Sequence, residues 1–133
     1  MLQGDSLVAT EILELAEVPV ADWHALFAGE MDPFEIEHLH LIWRPKDTHF
    51  VLYSGGRAAS HVSVLLRHMV RVGSDQIAVT GVAGVTTRPD LRRRGLAGRL
   101  LRHALWATRS RAETSFALLF CLPKLVALYR SLG

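Results

Sequence analysis

Two long alternating runs stand end to end in the middle of this chain, and a helical period replaces them within ten residues. RAASHVSVLLRHMVRV (57–72) and QIAVTGVAGVTT (76–87) read as strands joined by a turn at Gly73-Ser74-Asp75. HFVLYS (49–54) is a shorter strand that reaches them through Gly55-Gly56. In the longest run Val62, Val64, Leu66 and His68 share one side, and Ser63, Leu65 and Arg67 the other. Gly81 and Gly84 interrupt the last strand, which marks a bulge or a place where something comes close to the backbone. From Leu96 the spacing changes: Leu96, Leu100, Leu101, Ala104, Leu105 and Thr108 fall on one helical stripe, with Arg99, Arg102 and Arg109 toward solvent. A meander leading into a helix, then a further strand and helix, predicts an α/β domain with a mixed sheet.

The flanks read less sharply. Within SLVATEILELAEV (6–18) Leu7, Ala9 and Ile12 alternate with polar residues, so its first part is expected as a strand that Pro19 ends. Asp22 is placed to cap a short helix carrying Trp23, Leu26 and Phe27, with Gly29 closing it. Pro33 opens a second helical segment, FEIEHLHLIW, whose Phe34, Leu41 and Ile42 face a core; the same residues also read as a strand. SFALLFCL (115–122) is apolar enough for a strand buried on both faces, with Cys121 filling core space. Pro123 suits the first position of a helix through LVALYRSL, which Gly133 follows.

With 133 residues, one domain spanning 1–133 is expected. No apolar run approaches membrane-spanning length, the first residues lack a secretory pattern, and one cysteine excludes an internal disulfide framework. These point to the cytoplasm and away from a membrane. The net charge of +2 hides a division. Residues 1–56 carry ten acidic residues against Arg44 and Lys46, a net −8, and residues 57–133 carry a net +10. Either two surfaces handle different partners, or the halves neutralise each other across the fold.

The strand–helix junction, RPDLRRRGLA (88–97), concentrates arginine where a helix dipole already disfavours cations. That disfavour amounts to tenths of a kcal/mol per exposed residue, so a solvated surface would tolerate it. A bound phosphate would explain more. First-turn amides have no internal partner, Gly95 and Ala97 let a ligand lie against the backbone, and nearby arginines add charge-assisted bonds. No GK[ST] follows the glycines, so this is not a P-loop. Without a long basic stripe, zinc-finger spacing or alternating aromatics, no nucleic-acid partner is expected.

Arg92-Arg93-Arg94-Gly95-Leu96-Ala97 matches R/Q-x-x-G-x-G/A, and its place after VTGVAGVTTRP resembles the acetyl-CoA-binding core of the GCN5-related N-acetyltransferase (GNAT) superfamily. FALLFCLPKLVALYRSLG (116–133) is similar to that superfamily's fifth strand and following helix, with the family tyrosine at Tyr129. The resemblance implies a mainly antiparallel central sheet flanked by helices and acetyl-CoA as cofactor. It implies that the backbone of Val85, Thr86 and Thr87 pairs with the pantetheine arm. Amides of Arg93, Arg94, Gly95, Leu96, Ala97 and Gly98 would cradle the pyrophosphate, and Arg88 or Arg92 would reach a further phosphate. Gly84 lies near the bulge that splays strand four from strand five.

The implied reaction is acyl transfer from the thioester to a primary amine of a small molecule or peptide. A backbone amide such as that of Val85 would polarise the thioester carbonyl, and Tyr129 would protonate the departing thiolate. Relatives commonly carry a glutamate on strand four where this chain has Ala83. That departure leaves three options: another residue is the base, water relays the proton, or the chain binds acetyl-CoA without turnover. His61 and Glu37 are the leading bases, with Glu35, His38 and His40 behind them. Glu30, Asp32, Glu35 and Glu37 could attract a cationic amine, and Trp23 and Trp43 either line its site or anchor the core. His38 and His40 with Glu35 and Glu37 lack a third metal ligand at characteristic spacing, so no metal is expected. The superfamily usually continues past the tyrosine helix into two further strands. This chain stops at Gly133, so an apolar fifth strand is expected at an edge. Either a partner covers it, the chain has adapted, or the sequence is a truncated version of a longer protein; of these, a homodimer with its interface near residues 115–133 is favoured.

Overall fold

The computed structural model describes residues 9–30, 35, 37–40 and 44–131. Expectations for Leu7, Asp32, Pro33, Phe34, Leu41, Ile42, Trp43 and Gly133 fall outside the described residues. Strands β1 (Thr10–Leu15), β2 (Thr48–Ser54), β3 (Arg57–Val72), β4 (Asp75–Thr87) and β5 (Ala117–Leu118) form a sheet in chain order. Neighbours are antiparallel except β5, which runs parallel to β4. Helices are α1 (Val20–Phe27), α2 (Leu96–Ala112) and α3 (Val126–Arg130).

Strand alternation distributes the apolar residues to two faces. Phe50, Leu52, Val62, Val64 and Val82 pack with Leu100, Leu101 and Ala104 of α2. Val51, one residue out of phase with Phe50 and Leu52, joins Ala58 and Leu26 of α1. The two helices therefore cover opposite faces. Full burial of a residue such as Leu100 stabilises by roughly 1.5–3 kcal/mol, so the α2 face is the larger store of stability.

Several local expectations need correction. Pro19, not Asp22, stands at the N-cap of α1, and no side-chain cap bond is made. Asp22 sits in the first turn and accepts a hydrogen bond from the Tyr53 hydroxyl at 2.7 Å, fastening α1 to β2. Ala28 takes the left-handed C-cap position immediately before Gly29. In β3, Leu66 and Arg67 lie opposite Thr80 alone. This bulge breaks the alternation before His68, which contacts Arg44 at 2.7 Å. The run 115–122 is not a strand buried on both faces: its strand holds two residues, and Phe116, Leu118, Phe120 and Cys121 are exposed. Apolar composition alone could not reveal that no further layer of described residues covers this segment.

Charge neutralisation across the fold is visible. Glu14 pairs with Arg111, Glu30 with Arg92 and Glu35 with Lys124, each joining the acidic section to the basic one. Exposed pairs contribute about 0–1 kcal/mol each, so they orient segments more than they stabilise the fold.

Candidate acyl-transfer site

The junction between β4 and α2 reverses its backbone hand twice. Arg93 (φ 66°) and Gly95 (φ 75°) are left-handed, while Arg94 between them is not. Gly95 is the N-cap of α2, provides no side-chain cap, and the first turn holds no acidic residue. The amides of Leu96, Ala97 and Gly98 therefore open the helix without a capping side chain. A Cβ placed on Gly95 would meet nothing within 4 Å, so the space before this helix end is open. Such an end, with two left-handed residues folded around it, has the donors and partial positive charge that suit an anion.

The arginines around it divide by role. Arg88 is buried; its Nε donates to Asp90 at 2.7 Å and its Nη1 to the Ala58 carbonyl at 3.1 Å. Its guanidinium faces inward and anchors the loop to β3, which does not suit the phosphate contact expected of it. Arg92 is exposed, donating to the Thr87 carbonyl at 3.0 Å and to Glu30 at 2.6 Å. Arg93 and Arg94 are exposed.

Upstream, β4 is bulged. His61 pairs with Thr86 and Ser63 with Ala83, leaving Gly84 and Val85 opposite Val62 alone. Gly84 has φ 60°, where an L side chain costs about 1–2 kcal/mol, and a Cβ there would stand 3.1 Å from the His61 ring. Side chains of β3 serve the carbonyls of this irregular stretch. Ser63 Oγ donates to Ala83 at 2.8 Å, Ser60 Oγ to Thr86 at 3.0 Å, and His61 Nδ1 lies 2.6 Å from the Gly84 oxygen. On its other edge β4 pairs with β5 only at Thr80 and Gly81. Among the described residues no strand lies beside Ala83–Thr87 there.

His61 is almost wholly buried, its Nε2 2.9 Å from His49 Nδ1 and its ring in edge contact with Trp23 at 4.6 Å. Burial pushes its pKa down to about 4, with the nearby His49 acting in the same direction. No site role was expected of His49, whose pKa burial also lowers, or of Ser60 and Ser63. The signal available was polar residues at interior positions of β2 and β3 beside a glycine-interrupted strand.

Tyr129 lies on α3 after the turn Pro123–Leu125 and is half-buried against the cluster that Val85 also touches. Burial, and secondarily Cys121, raises its phenol, which therefore stays protonated at neutral pH. Glu37 is exposed in the short turn Glu37–Leu39. The ion pair of Glu35 with Lys124 at 2.9 Å ties this acidic segment to the turn leading to Tyr129. Trp23 stacks on Phe27 at 5.2 Å and packs with the α1 cluster, as a core anchor would. Among the described residues no group of three or more His, Cys, Asp or Glu is placed to hold a metal ion.

Solved structures share this fold. An aminoglycoside N-acetyltransferase in complex with CoA superposes with a TM-score of 0.65 at 18% identity, covering 95% of this chain and 88% of that one. An aminoglycoside 6'-N-acetyltransferase from Acinetobacter haemolyticus gives 0.64 at 21% identity, covering 92% and 89%. A GCN5-related N-acetyltransferase from Kribbella flavida gives 0.70 at 19% identity, covering 98% of this chain but 34% of that one. At such identities the likeness speaks for the fold. No curated protein matches in sequence. The family profile for the acetyltransferase (GNAT) domain matches residues 19–133, and on that match, with the bulged fourth strand running into a glycine-opened helix, the chain belongs to the GNAT acetyltransferases.

Proposed function

We propose that this chain, as a single domain, moves an acetyl group from acetyl-CoA to a primary amine of a small molecule or peptide. The observation that carries this reading is the continuity of an unpaired β4 edge at Ala83–Thr87 with the uncapped start of α2 at Gly95. An extended pantetheine arm fits the first as an added strand, along Val85, Thr86 and Thr87. A pyrophosphate fits the second, on the amides of Arg93 through Gly98. Arg92 lies beside this path and is the arginine suited to a further phosphate, exchanging Glu30 for it. Acetyl-CoA supplies the acyl thioester.

The chain's own residues then divide the work. The backbone at Gly84–Val85 orients the carbonyl under attack. Tyr129, protonated at neutral pH, donates its proton to the departing thiolate sulfur. Ala83 offers no proton acceptor, and His61 has both ring nitrogens engaged. Of the leading bases, Glu37 therefore keeps the role of taking the proton from the attacking nitrogen. The acidic segment around it favours a cationic acceptor. Aminoglycoside acetylation by the solved relatives gives that class of amine its place in a first panel.

A second reading, an acetyl-CoA-binding module without turnover, draws its support from Ala83. Thiol release from acetyl-CoA with a mixed amine panel, against a no-acceptor control, separates the two. Turnover is expected with at least one cationic amine, and binding without thiol release would favour the module. Tyr129→Phe should lower turnover about ten- to a hundredfold while leaving CoA affinity within about twofold. Undiminished turnover would remove Tyr129 as the acid.

We also infer a cytoplasmic homodimer. A lone exposed thiol, Cys121, suits a reducing compartment. Phe116, Leu118, Phe120 and Leu128 expose apolar surface around the short edge strand, with Phe120 92% exposed. A second copy would cover it by the same surface. Sedimentation should give a dimer at micromolar concentration and a monomer for Phe120→Glu; a monomeric wild type would rule the dimer out.

A further inference from the structure

The β4 bulge has two successive carbonyls, Ala83 and Gly84, both taken by side chains of β3. In a regular strand successive carbonyls alternate between edges; at this bulge both accept from side chains of the same neighbouring strand. A peptide unit is planar, and no cis bond occurs here, so each N–H points opposite to the preceding carbonyl. If the Ala83 oxygen is held by Ser63, the Gly84 amide points away from β3. If the Gly84 oxygen is held by His61, the Val85 amide does the same. Both amides are thereby turned away from the β3 side chains that hold the preceding carbonyls, in the part of β4 that lies beyond its last β5 contact at Gly81.

The chemistry of His61 fixes which proton does this. A carbonyl only accepts, so Nδ1 carries the hydrogen facing Gly84 at 2.6 Å. Neutral and enclosed, the ring then presents a bare Nε2, which accepts from His49 Nδ1–H at 2.9 Å. Trp23 closes the remaining ring edge, and Ser63 lies against the same glycine. Nothing in this arrangement leaves a lone pair of His61 for an incoming amine.

We propose that His61 and Ser63 are positioning residues, which turn the Gly84 and Val85 amides together into a two-donor site for the carbonyl oxygen of an acyl thioester. His49 acts one step further back by holding the tautomer of His61. A hydrogen bond to the Gly84 carbonyl also strengthens the Val85 amide as a donor, because successive bonds in a chain polarise one another. This inference rests on the acetyl-transfer reading for its purpose, though not for its geometry.

Nitrogen-15 NMR of the uncomplexed protein tests the geometry without turnover. His61 should be protonated at Nδ1 and bare at Nε2. Ser63→Ala should move the Gly84 amide proton upfield, and His61→Leu the Val85 amide proton. His61→Asn places an amide nitrogen near the position of Nδ1 and should largely restore the latter. With acetyl-CoA and a reactive amine, His61→Leu should lower kcat about ten- to a hundredfold with the acetyl-CoA KM within about threefold, and Asn should recover most of the loss. A proton on Nε2, bulge amides indifferent to both substitutions, or an unchanged kcat in His61→Leu would overturn the inference. A wild type that releases no thiol with any amine refutes the proposed function alone, since the tautomer and amide shifts still decide this one.

Discussion

Gly95→Glu should weaken acetyl-CoA binding by more than about a hundredfold, measured by calorimetry on folded protein. Two effects add. A carboxylate within about 5 Å of a phosphate costs on the order of 3 kcal/mol at an effective dielectric near 20, already about a hundredfold. A side chain in this position also competes for the amides of the first turn, each charge-assisted bond contributing about 1.5–3 kcal/mol. Because a Cβ at Gly95 meets nothing within 4 Å, the substitution introduces no packing clash. It does introduce strain, since φ is 75° and an L residue there costs about 1–2 kcal/mol of stability. Gly95→Ala carries that same strain without the charge and is the control. Alanine should lose about tenfold or less, and both variants should keep cooperative unfolding. If glutamate binds acetyl-CoA as the wild type does, the pyrophosphate does not lie at this helix start, and the proposed chemistry loses its site.

This junction was the part of the molecule most open to reading from sequence. Period-two runs bounded by Gly55-Gly56 and Gly73-Ser74-Asp75 leave little choice but a meander, and the stripe from Leu96 to Thr108 can only be an amphipathic helix. Gly84 announced a bulge for a reason that survives in the structure: the left-handed backbone there excludes most side chains. What could not be read was the identity of partners. Arg88 and Arg92 look equivalent in the string RPDLRRRG, yet one is buried on the Ala58 carbonyl and the other pairs with Glu30, far away in sequence.

The apolar segment 115–122 failed for a related reason. Burial depends on what is stacked above a residue, and Phe120 is no less hydrophobic for having no described layer over it. His61 shows a third limit. Its residue type invited a role as base, because histidine titrates near neutrality. Its position, between Gly84, His49 and Trp23, removes both nitrogens from that service. No local pattern distinguishes the two, since His49 enters only through the pairing of β2 with β3.

The same burial predicts a loss of stability in mild acid. His61 has a folded-state pKa of about 4 against an ordinary value of 6.5. Below the ordinary value the unfolded chain takes up a proton that the native ring refuses, so unfolding is favoured as pH falls. The stability linked to His61 is complete above about pH 6.5, declines through the interval, and is lost by about pH 4, amounting to about 3 kcal/mol. His49 shifts in the same direction, mainly through its own burial and next through Lys46, while Glu17 opposes it. Carboxylates on the surface titrate over part of this range and would blur a single curve. The difference between wild type and His61→Asn cancels them, because asparagine keeps a donor for Gly84 but cannot be protonated. Urea denaturation at steps between pH 7 and pH 4 should therefore bring the two proteins closer in stability as acid is added, by about 3 kcal/mol across the interval. Parallel curves would mean that His61 is readily protonated in the native state, and the neutral, fully engaged ring inferred at the bulge would be wrong.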